Sequence, residues 1–360
     1  MAEQAPGMSV VIATLGRADA RRTVDGVLTS ARHADMSVEV IVVWQGDAEP
    51  EPFPSGVVVL DVFPSGLSYA RNRGAAAARS SVIGFVDDDE VVDEQWVPAM
   101  VGAFHDHPQA AGVFGAVHPL DEDGVPHCEF VGEDVRLFTR PSTPPWIVGT
   151  GGNMAFRSDV LKRAGGFDVA LGAGAPGRSG EESDLIARLL RTGHPLVWTP
   201  AAIVHHPTKT AAEHLASRRP YGHGTGAVAR RRRDPGMAAR YAAAVAQSWT
   251  TGLRSRDADR RHEALLTGRG FVAGMLATPG RGRSPAAGLA RMPADIAAAI
   301  RGKSIAAGRA RYGSQPELPF RAGDMVVHVL PGVREAPLRR GEILRHHSRD
   351  TLWILTRRAG

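Results

Sequence analysis

The strongest constraint on the fold is the rhythm of the first ninety residues, where short apolar runs alternate with helical stretches. Ser9-Val-Val-Ile-Ala-Thr14 is an apolar run stopped at Gly16. A fully apolar run of strand length suits a parallel strand covered on both faces. Residues 18–31 read as a helix. Residues 38–44 read as a second strand, broken by Gln45-Gly46-Asp47, and residues 57–62 as a third. Residues 67–79 are Ala-rich and helical, with Ser65 or Ser68 as the expected N-cap. Ser81-Val-Ile-Gly-Phe-Val86 is a fourth strand. This alternation predicts an α/β sheet with helices on both faces.

The pattern then loosens. Residues 120–145 are loop-like, and Gly149–Asn153 is a further loop. Residues 159–164 form a short helix before Gly165-Gly166. Gly172, Gly174, Gly177 and Gly180 mark a loop expected to be mobile and to order over a bound ligand. Residues 181–191 read as a helix closed by Gly193, and residues 196–204 as a last strand running into His205-His206. Composition shifts near residue 210. The expected division is therefore a domain over 8–210 and an accessory region over 211–360. In the latter, 211–278 are helical and 279–315 a linker around one helix. A small β unit at 320–357 has strands at 325–330 and 351–356 around Leu338–His347.

Of the 360 residues 43% are hydrophobic and 22% charged, which excludes collagen-like and wholly disordered chains. No run of 18 uncharged apolar residues occurs, so no transmembrane helix is expected. The N-terminal segment has no basic region ahead of an apolar one, so no signal peptide is expected, and the expected location is cytoplasmic. Cys128 is the single cysteine, which excludes an internal disulfide and a cysteine-based zinc site. The net charge is +5, from 40 Arg and only three Lys against 38 acidic residues. That Arg bias fits a GC-rich coding sequence, and no nucleic-acid partner is expected. Peripheral contact of the basic C-terminal region with an anionic membrane surface stays open, as does a homodimer.

Three clusters can carry chemistry. Asp87-Asp88-Asp89-Glu90 follows the fourth strand, which places carboxylates at the C-terminal edge of the sheet, where α/β proteins bind ligands. Such hard oxygen ligands suit Mg²⁺ or Mn²⁺ completed by phosphates and water; the plain alternative is a solvated acidic turn. Glu181-Glu182-Ser183-Asp184 opens a helix, where carboxylates either cap the helix or offer a general base. His205-His206 ends a strand and is either structural or a late metal ligand. No GxxxxGK[ST] or GxGxxG phosphate loop is present.

These pieces occur in an order that resembles the family 2 glycosyltransferases, inverting enzymes with a GT-A fold. Ser9–Arg17 resembles the opening strand of the family, and Gly66–Gly74 its "ARNxG" helix. Phe85–Asp89 resembles its DxD strand end. Gly149–Phe156 and Gly165–Asp168 resemble its acceptor-side segment, Gly180–Leu185 its "GEDxDL", and Pro200–His206 its closing strand. The resemblance implies a nucleotide-diphosphate sugar as donor, a hydroxyl-bearing acceptor and a divalent cation, Mn²⁺ or Mg²⁺. It implies Thr14, Arg17 and Arg71 along the nucleotide pocket, and Asp87 and Asp88 near ribose and pyrophosphate. Asp89 would hold the metal, with Asp87, His206 and, after it, His205 as further metal-side residues. Glu182 falls at the base, with Glu181 as second candidate. Gly152 and Asn153 fall on the acceptor side.

The sequence departs from the family at the second strand. Where the family commonly has an acidic pair, this chain has Trp44-Gln45-Gly46-Asp47; Trp44 can stack on a nucleotide base and Asp47 is the substitute carboxylate. Trp146 is a candidate sugar platform on the acceptor side. Tyr241, Val245 and Trp249 form one apolar stripe, expected to dock a helix onto the rest of the chain. Two other functions stay open at this point. A sugar-phosphate nucleotidyltransferase also uses paired carboxylates and Mg²⁺, and a non-catalytic nucleotide-sugar or polyanion-binding protein would need only the pocket.

Overall fold

The computed structural model describes residues 7–16, 19–46, 50, 52–62, 66–126, 128–231 and 235–277, and the strands 319–322, 325–331, 342–348 and 351–357. The chain divides into two compact units, Met1–Val59 with Gly66–Pro279, and Leu60–Ser65 with Gly280–Gly360.

The first unit alternates as the sequence predicts: β1 (Met8–Thr14), α1 (Ala20–His33), β2 (Val38–Trp44), β3 (Val58–Asp61), α2 (Leu67–Ala77) and β4 (Val82–Asp87). Then come β5 (Val91–Val92), α3 (Trp96–Asp106), β6 (Gly112–Pro119) and β7 (Arg136–Phe138). A single 3₁₀ turn (Pro145–Ile147) leads to β8 (Asn153–Arg157), α4 (Ser158–Arg163), α5 (Glu181–Arg191) and β9 (Leu196–His206). The sheet order is β3-β2-β1-β4-β8-β6-β9-β5, with β7 paired to β9. β1 lies parallel between β2 and β4, whereas β8 runs antiparallel to both β4 and β6. Period-two alternation buries both faces. Val10, Ile12, Val40 and Val42 pack with Val24 and Val27 of α1 and Val97 and Met100 of α3. On the opposite face Gly74 brings α2 against Val11 and Val43; a methyl group there would collide with Val11. Phe85, Phe114, Phe156 and Phe167 form an edge-on aromatic ladder with centroids 5.2–6.4 Å apart.

Three further helices complete this unit: α6 (Ala211–Arg231), α7 (Pro235–Leu253) and α8 (Ala258–Leu276). Gly222 and Gly226 of α6 face Gly270 and Gly274 of α8 so closely that a methyl group at any of the four would strike a carbonyl oxygen of the other helix. The apolar stripe of α7 docks as expected. Tyr241 and Val245 join a cluster with Leu171, Ala187, Val228 and Phe271, and Trp249 closes over Gly268. These helices lie in the same compact unit as the α/β sheet.

In the second unit the structure describes backbone strands alone: β10 (Pro319–Ala322), β11 (Met325–Pro331), β12 (Glu342–Ser348) and β13 (Thr351–Arg357), antiparallel in the order β10-β11-β13-β12. The expected pair of strands is thus four, and part of the Leu338–His347 stretch is itself strand. The expected helix within 279–315 lies outside the described residues.

Two local expectations change. Gly66, not Ser68, occupies the N-cap of α2; Ser68 sits inside the helix and its hydroxyl donates to Leu171 O at 2.7 Å. The Gly172–Gly180 loop is bonded to its surroundings by Leu67 N to Ala173 O at 3.0 Å and by Gly177 N to Ala170 O at 2.8 Å. Among the described residues no helix is long and apolar enough to cross a membrane.

Candidate active site

β1 and β4 end side by side, and the acidic run leaves the sheet there. Asp88 is buried and accepts from Thr14 Oγ1 at 2.6 Å, while the same hydroxyl accepts from the Gly16 N–H at 3.0 Å. Thr14 therefore closes the turn after β1. Asp87 Oδ1 accepts from Arg71 Nη2 at 2.7 Å. Arg71, expected along the nucleotide pocket, is 2% exposed and taken up by carboxylates. It bridges Asp87 to Glu181 Oε1 at 2.7 Å and also donates to Gly151 O at 2.9 Å. Burial works against its charge, but Asp87, Glu181 and Glu182 outweigh it and raise its pKa above the ordinary guanidinium value.

Glu90 is a feature that sequence reasoning left inside the acidic run. It is 1% exposed and its Oε2 has no hydrogen-bond partner. Burial, followed by the charges of Asp87 and Asp89, pushes its carboxyl well above the usual range. Gly152 permits this crowding, since a Cβ there would collide with Glu90 and lie 3.0 Å from Asp87 Oδ2.

The other wall is the start of α5. Gly180 adopts φ +87° at the N-cap, and a Cβ there would approach Val228 to 2.9 Å, so the turn calls for glycine. The first turn holds Glu181, Glu182 and Asp184, which the helix dipole favours. Their roles separate by partner. Asp184 is fully buried and binds Arg188 at 2.9 Å, whose guanidinium also reaches Gly166 O at 2.6 Å. Glu181 is the buried partner of Arg71. Glu182 is half-buried, accepts from Ser183 Oγ at 2.9 Å, and is pushed up to about 7 by burial and by the charge of Glu181. Of the two base candidates, Glu181 is locked in an ion pair and Glu182 is the one with an operating range near neutrality.

At the end of β9, His206 Nδ1 lies 2.7 Å from Pro207 O, a carbonyl that can only accept, so Nδ1 carries the proton. Nε2 faces Asp89 Oδ1 at 4.0 Å. An imidazole nitrogen and a carboxylate oxygen at that separation fit opposite sides of a small divalent cation. Among the described residues no group of three or more His, Cys, Asp or Glu is arranged to hold a metal alone. An ion between His206 and Asp89 would have to take its remaining ligands from phosphate and water. His205 does not join it; strand alternation turns it away, and its ring lies 5.9 Å from that of His118.

Other expected residues are placed differently. Asn153, expected on the acceptor side, is fully buried: it accepts from Trp96 Nε1 at 2.8 Å and donates to Ala116 O and Ala202 O at 2.8 and 2.9 Å. It pins β8 to its neighbours, and both of its amide hydrogens are used within the sheet. Trp44 is 6% exposed, packed in the sheet core and against Gly16, so its ring is not presented for stacking. Arg17 and Asp47 lie outside the described residues. Trp146, in the 3₁₀ turn, is 39% exposed and packs 4.8 Å from Tyr241 of α7. Burial raises the Tyr241 pKa, the charge of Glu182 adds to that, and a hydrogen bond with the Ser183 side chain opposes it. The four-residue spacing of α7 marks Tyr241 as a docking residue, but nothing in the sequence places it beside Glu182.

Residues 9–165 match the family model for "Glycosyl transferase family 2". The chain is similar to the glucosyl-dolichyl phosphate glucuronosyltransferase of Haloferax volcanii, 26% identical over 159 residues, 39% of this chain and 47% of that protein. It is also similar to the pre-mycofactocin glycosyltransferase of Mycobacterium tuberculosis, 29% identical over 203 residues, 53% of this chain and 42% of that protein. The chain thus spans less than half the length of these curated relatives. Among solved structures it resembles the mannosyltransferase PcManGT of Pyrobaculum calidifontis in complex with GDP-Man and Mn²⁺. The TM-score is 0.52 at 16% identity, over 76% of this chain and 88% of that one. That likeness is one of fold: a GT-A α/β sheet carrying C-terminal helices.

Proposed function

With residues 9–165 as a glycosyl transferase family 2 domain, we propose that this chain transfers a glycosyl group from a nucleotide-diphosphate sugar to an acceptor hydroxyl, with inversion at the anomeric carbon. The observation that carries this reading is the division of carboxylates between two walls. Glu182, pushed up to about 7, stands on α5, and Asp89 with His206 stands at the ends of β4 and β9. Arg71 ties the two walls together through Glu181 and Asp87.

Glu182 accepts the proton of the acceptor hydroxyl as its oxygen bonds to the anomeric carbon. The bond from that carbon to the phosphate oxygen breaks, and a nucleoside diphosphate leaves on the opposite side. A single displacement of this kind needs a base on one face and a stabilised leaving group on the other. Asp89 and His206 are the residues that would hold Mn²⁺ or Mg²⁺, with Asp87 nearby. Such an ion, when bound, supplies Lewis-acid neutralisation of the diphosphate. The GDP-Man and Mn²⁺ named for the Pyrobaculum enzyme support that choice of ligands. Asp88 and Thr14, bonded to each other, shape the turn over which ribose and pyrophosphate would lie. Gly152 forms the floor beneath Glu90 and Asp87. Trp146, partly exposed beside the start of α5, is the acceptor platform. The two named relatives act on unlike acceptors, a glucosyl-dolichyl phosphate and pre-mycofactocin, so the acceptor is specified as a hydroxyl and no further.

The test is a thermal-shift panel of UDP, GDP, CDP, dTDP and ADP, with and without Mn²⁺, on the wild type, Asp89→Ala and Glu182→Gln. A ligand that binds the native state raises Tm by mass action. The expected result is one nucleotide that stabilises with Mn²⁺, an effect lost in Asp89→Ala and kept in Glu182→Gln. Transfer from the matching nucleotide sugar is then lost in Glu182→Gln. Full transfer activity in that variant sinks the base assignment.

A further inference from the structure

The segment that delivers Glu182 is held by a helix that neither the family match nor the motifs include. The chain between α4 and α5 is a loop. Gly172, Gly174 and Gly180 have φ of +92°, +78° and +87° there, and Arg178 has φ +69°. A non-glycine residue keeps that left-handed conformation only where its surroundings hold it. Glu181 and Glu182 follow directly.

The holder is α6. Arg231 Nε and Nη2 meet Asp168 Oδ2 at 2.8 and 2.7 Å. Leu171 is fully buried and packs with Ala227 and Val228. His223 Nδ1 lies 3.2 Å from Gly177 O, and Ser179 Oγ donates to Pro220 O at 3.3 Å. A Cβ at Gly224 would strike Ser179 Oγ and lie 2.6 Å from Ser179 O. A Cβ at Gly180 would approach Val228 to 2.9 Å. Positions 220, 223, 224, 227, 228 and 231 recur every three or four residues, so they share one face of the helix. Gly222 and Gly226, on the opposite face, press against α8. About 16 Å of braced helix therefore lies along the loop. Glu182 is only three positions beyond Ser179, so a displacement of α6 at Ser179 is passed directly to it.

We propose that the 220–231 face of α6 is a positioning surface for the base: through Gly224, His223 and Arg231 it fixes where Glu182 stands relative to the anomeric carbon. This rests on the glycosyl-transfer reading with Glu182 as the base. The positioning residues touch neither donor nor acceptor and act through the loop alone. A misplacement of about 1 Å far from the chemistry costs about 10²-fold in rate.

The experiment uses the full chain with Mn²⁺ and the nucleotide sugar whose nucleoside diphosphate gives the largest thermal shift. Turnover is read as release of nucleoside diphosphate, with water and free monosaccharides supplying the acceptor hydroxyl. Gly224→Ala, which wedges α6 away from Ser179, is expected to lower kcat about 10- to 100-fold. The donor KM should stay within about threefold, because donor binding is left intact. In a Glu182→Gln background the same change should cost less than about threefold more, since groups that act as a unit are not additive. An unchanged kcat, a donor KM that rises as kcat falls, or the full loss repeated in Glu182→Gln overturns the proposal. Should Gly224→Ala lose its far-ultraviolet circular dichroism spectrum, the same cycle is run with Arg231→Met, which releases Asp168. An unchanged kcat there, or equal losses in both backgrounds, overturns the proposal. A wild type that turns over no nucleotide sugar, or full turnover in Glu182→Gln, overturns the underlying reading and this inference with it. That pattern is distinct from a Glu182-dependent turnover that the α6 variants leave intact, which sinks this inference alone.

Discussion

The two ends of the central sheet treat buried acid in opposite ways. At the start of β2, Glu39 is 5% exposed, yet its hydrogen-bond partners favour its charge. Ser9 Oγ, Arg79 N and Arg79 Nε donate to it at 2.6, 2.9 and 2.7 Å. Burial works against ionisation there, and these bonds outweigh it, holding the carboxyl below its ordinary value. At the other end, Asp87–Glu90 and Glu181–Glu182 crowd round Arg71, Glu90 is left with an unpartnered oxygen, and Glu182 rises to about 7. The first is a carboxylate the fold uses to join β1, β2 and the segment after α2. The second is a cluster in which the carboxyls of Glu90 and Glu182 are both raised, a kind of perturbation that gathers at functional sites.

The largest expected effect breaks the second cluster chemically. Glu182→Gln should lower kcat by about 10²- to 10⁴-fold, the range of a lost general base. Next, Arg71→Met should cost about 3–5 kcal/mol in urea denaturation, because it strands buried Glu181 without its partner. A loss under about 1 kcal/mol would mean that water already serves Glu181. Third, Glu39→Ala should cost about 2 kcal/mol by orphaning the Ser9 hydroxyl and the Arg79 N–H, and should leave kcat/KM unchanged. An altered kcat/KM there would remove the contrast between the two ends.

The smallest effect is a divergence with pH. The raised Glu182 pKa means that its protonated form is favoured by folding. Its contribution to stability is present below its unfolded value near 4.5 and is lost as pH rises through about 7. Activity needs the ionised base and rises over the same range. Glu39, depressed, behaves oppositely: its contribution holds above the unfolded value and is lost as pH falls through the folded one. Denaturation midpoints from pH 4 to 8 for wild type, Glu182→Gln and Glu39→Ala separate the two slopes. A wild-type pH dependence that Glu182→Gln leaves untouched would remove the raised base from the account.

The sequence carried much of this protein in local pattern. Apolar runs of strand length at 9–14, 38–44 and 81–86 each became a strand, because burial on both faces demands continuous apolar side chains. The acidic run after β4 and the Glu-rich start of α5 were legible because strand ends and helix starts are where such residues can be used. β8, by contrast, lies in a stretch that reads in part as loop, since its pairing with β4 and β6 is made by distant segments. Asn153 has the composition of a loop residue, and only the three-way bonding to Trp96, Ala116 and Ala202 makes it a core pin.

What the sequence by itself determined was the α/β class, the end of the sheet that carries the chemistry and the residue types available there. Tertiary structure decided which of two adjacent glutamates is paired and which is raised, that Arg71 serves carboxylates, and that Asn153 is a core pin. The reason is physical. Periodicity and turn chemistry act between near neighbours, whereas the state of a buried charge depends on every group the fold brings within a few ångströms, however far apart in the chain.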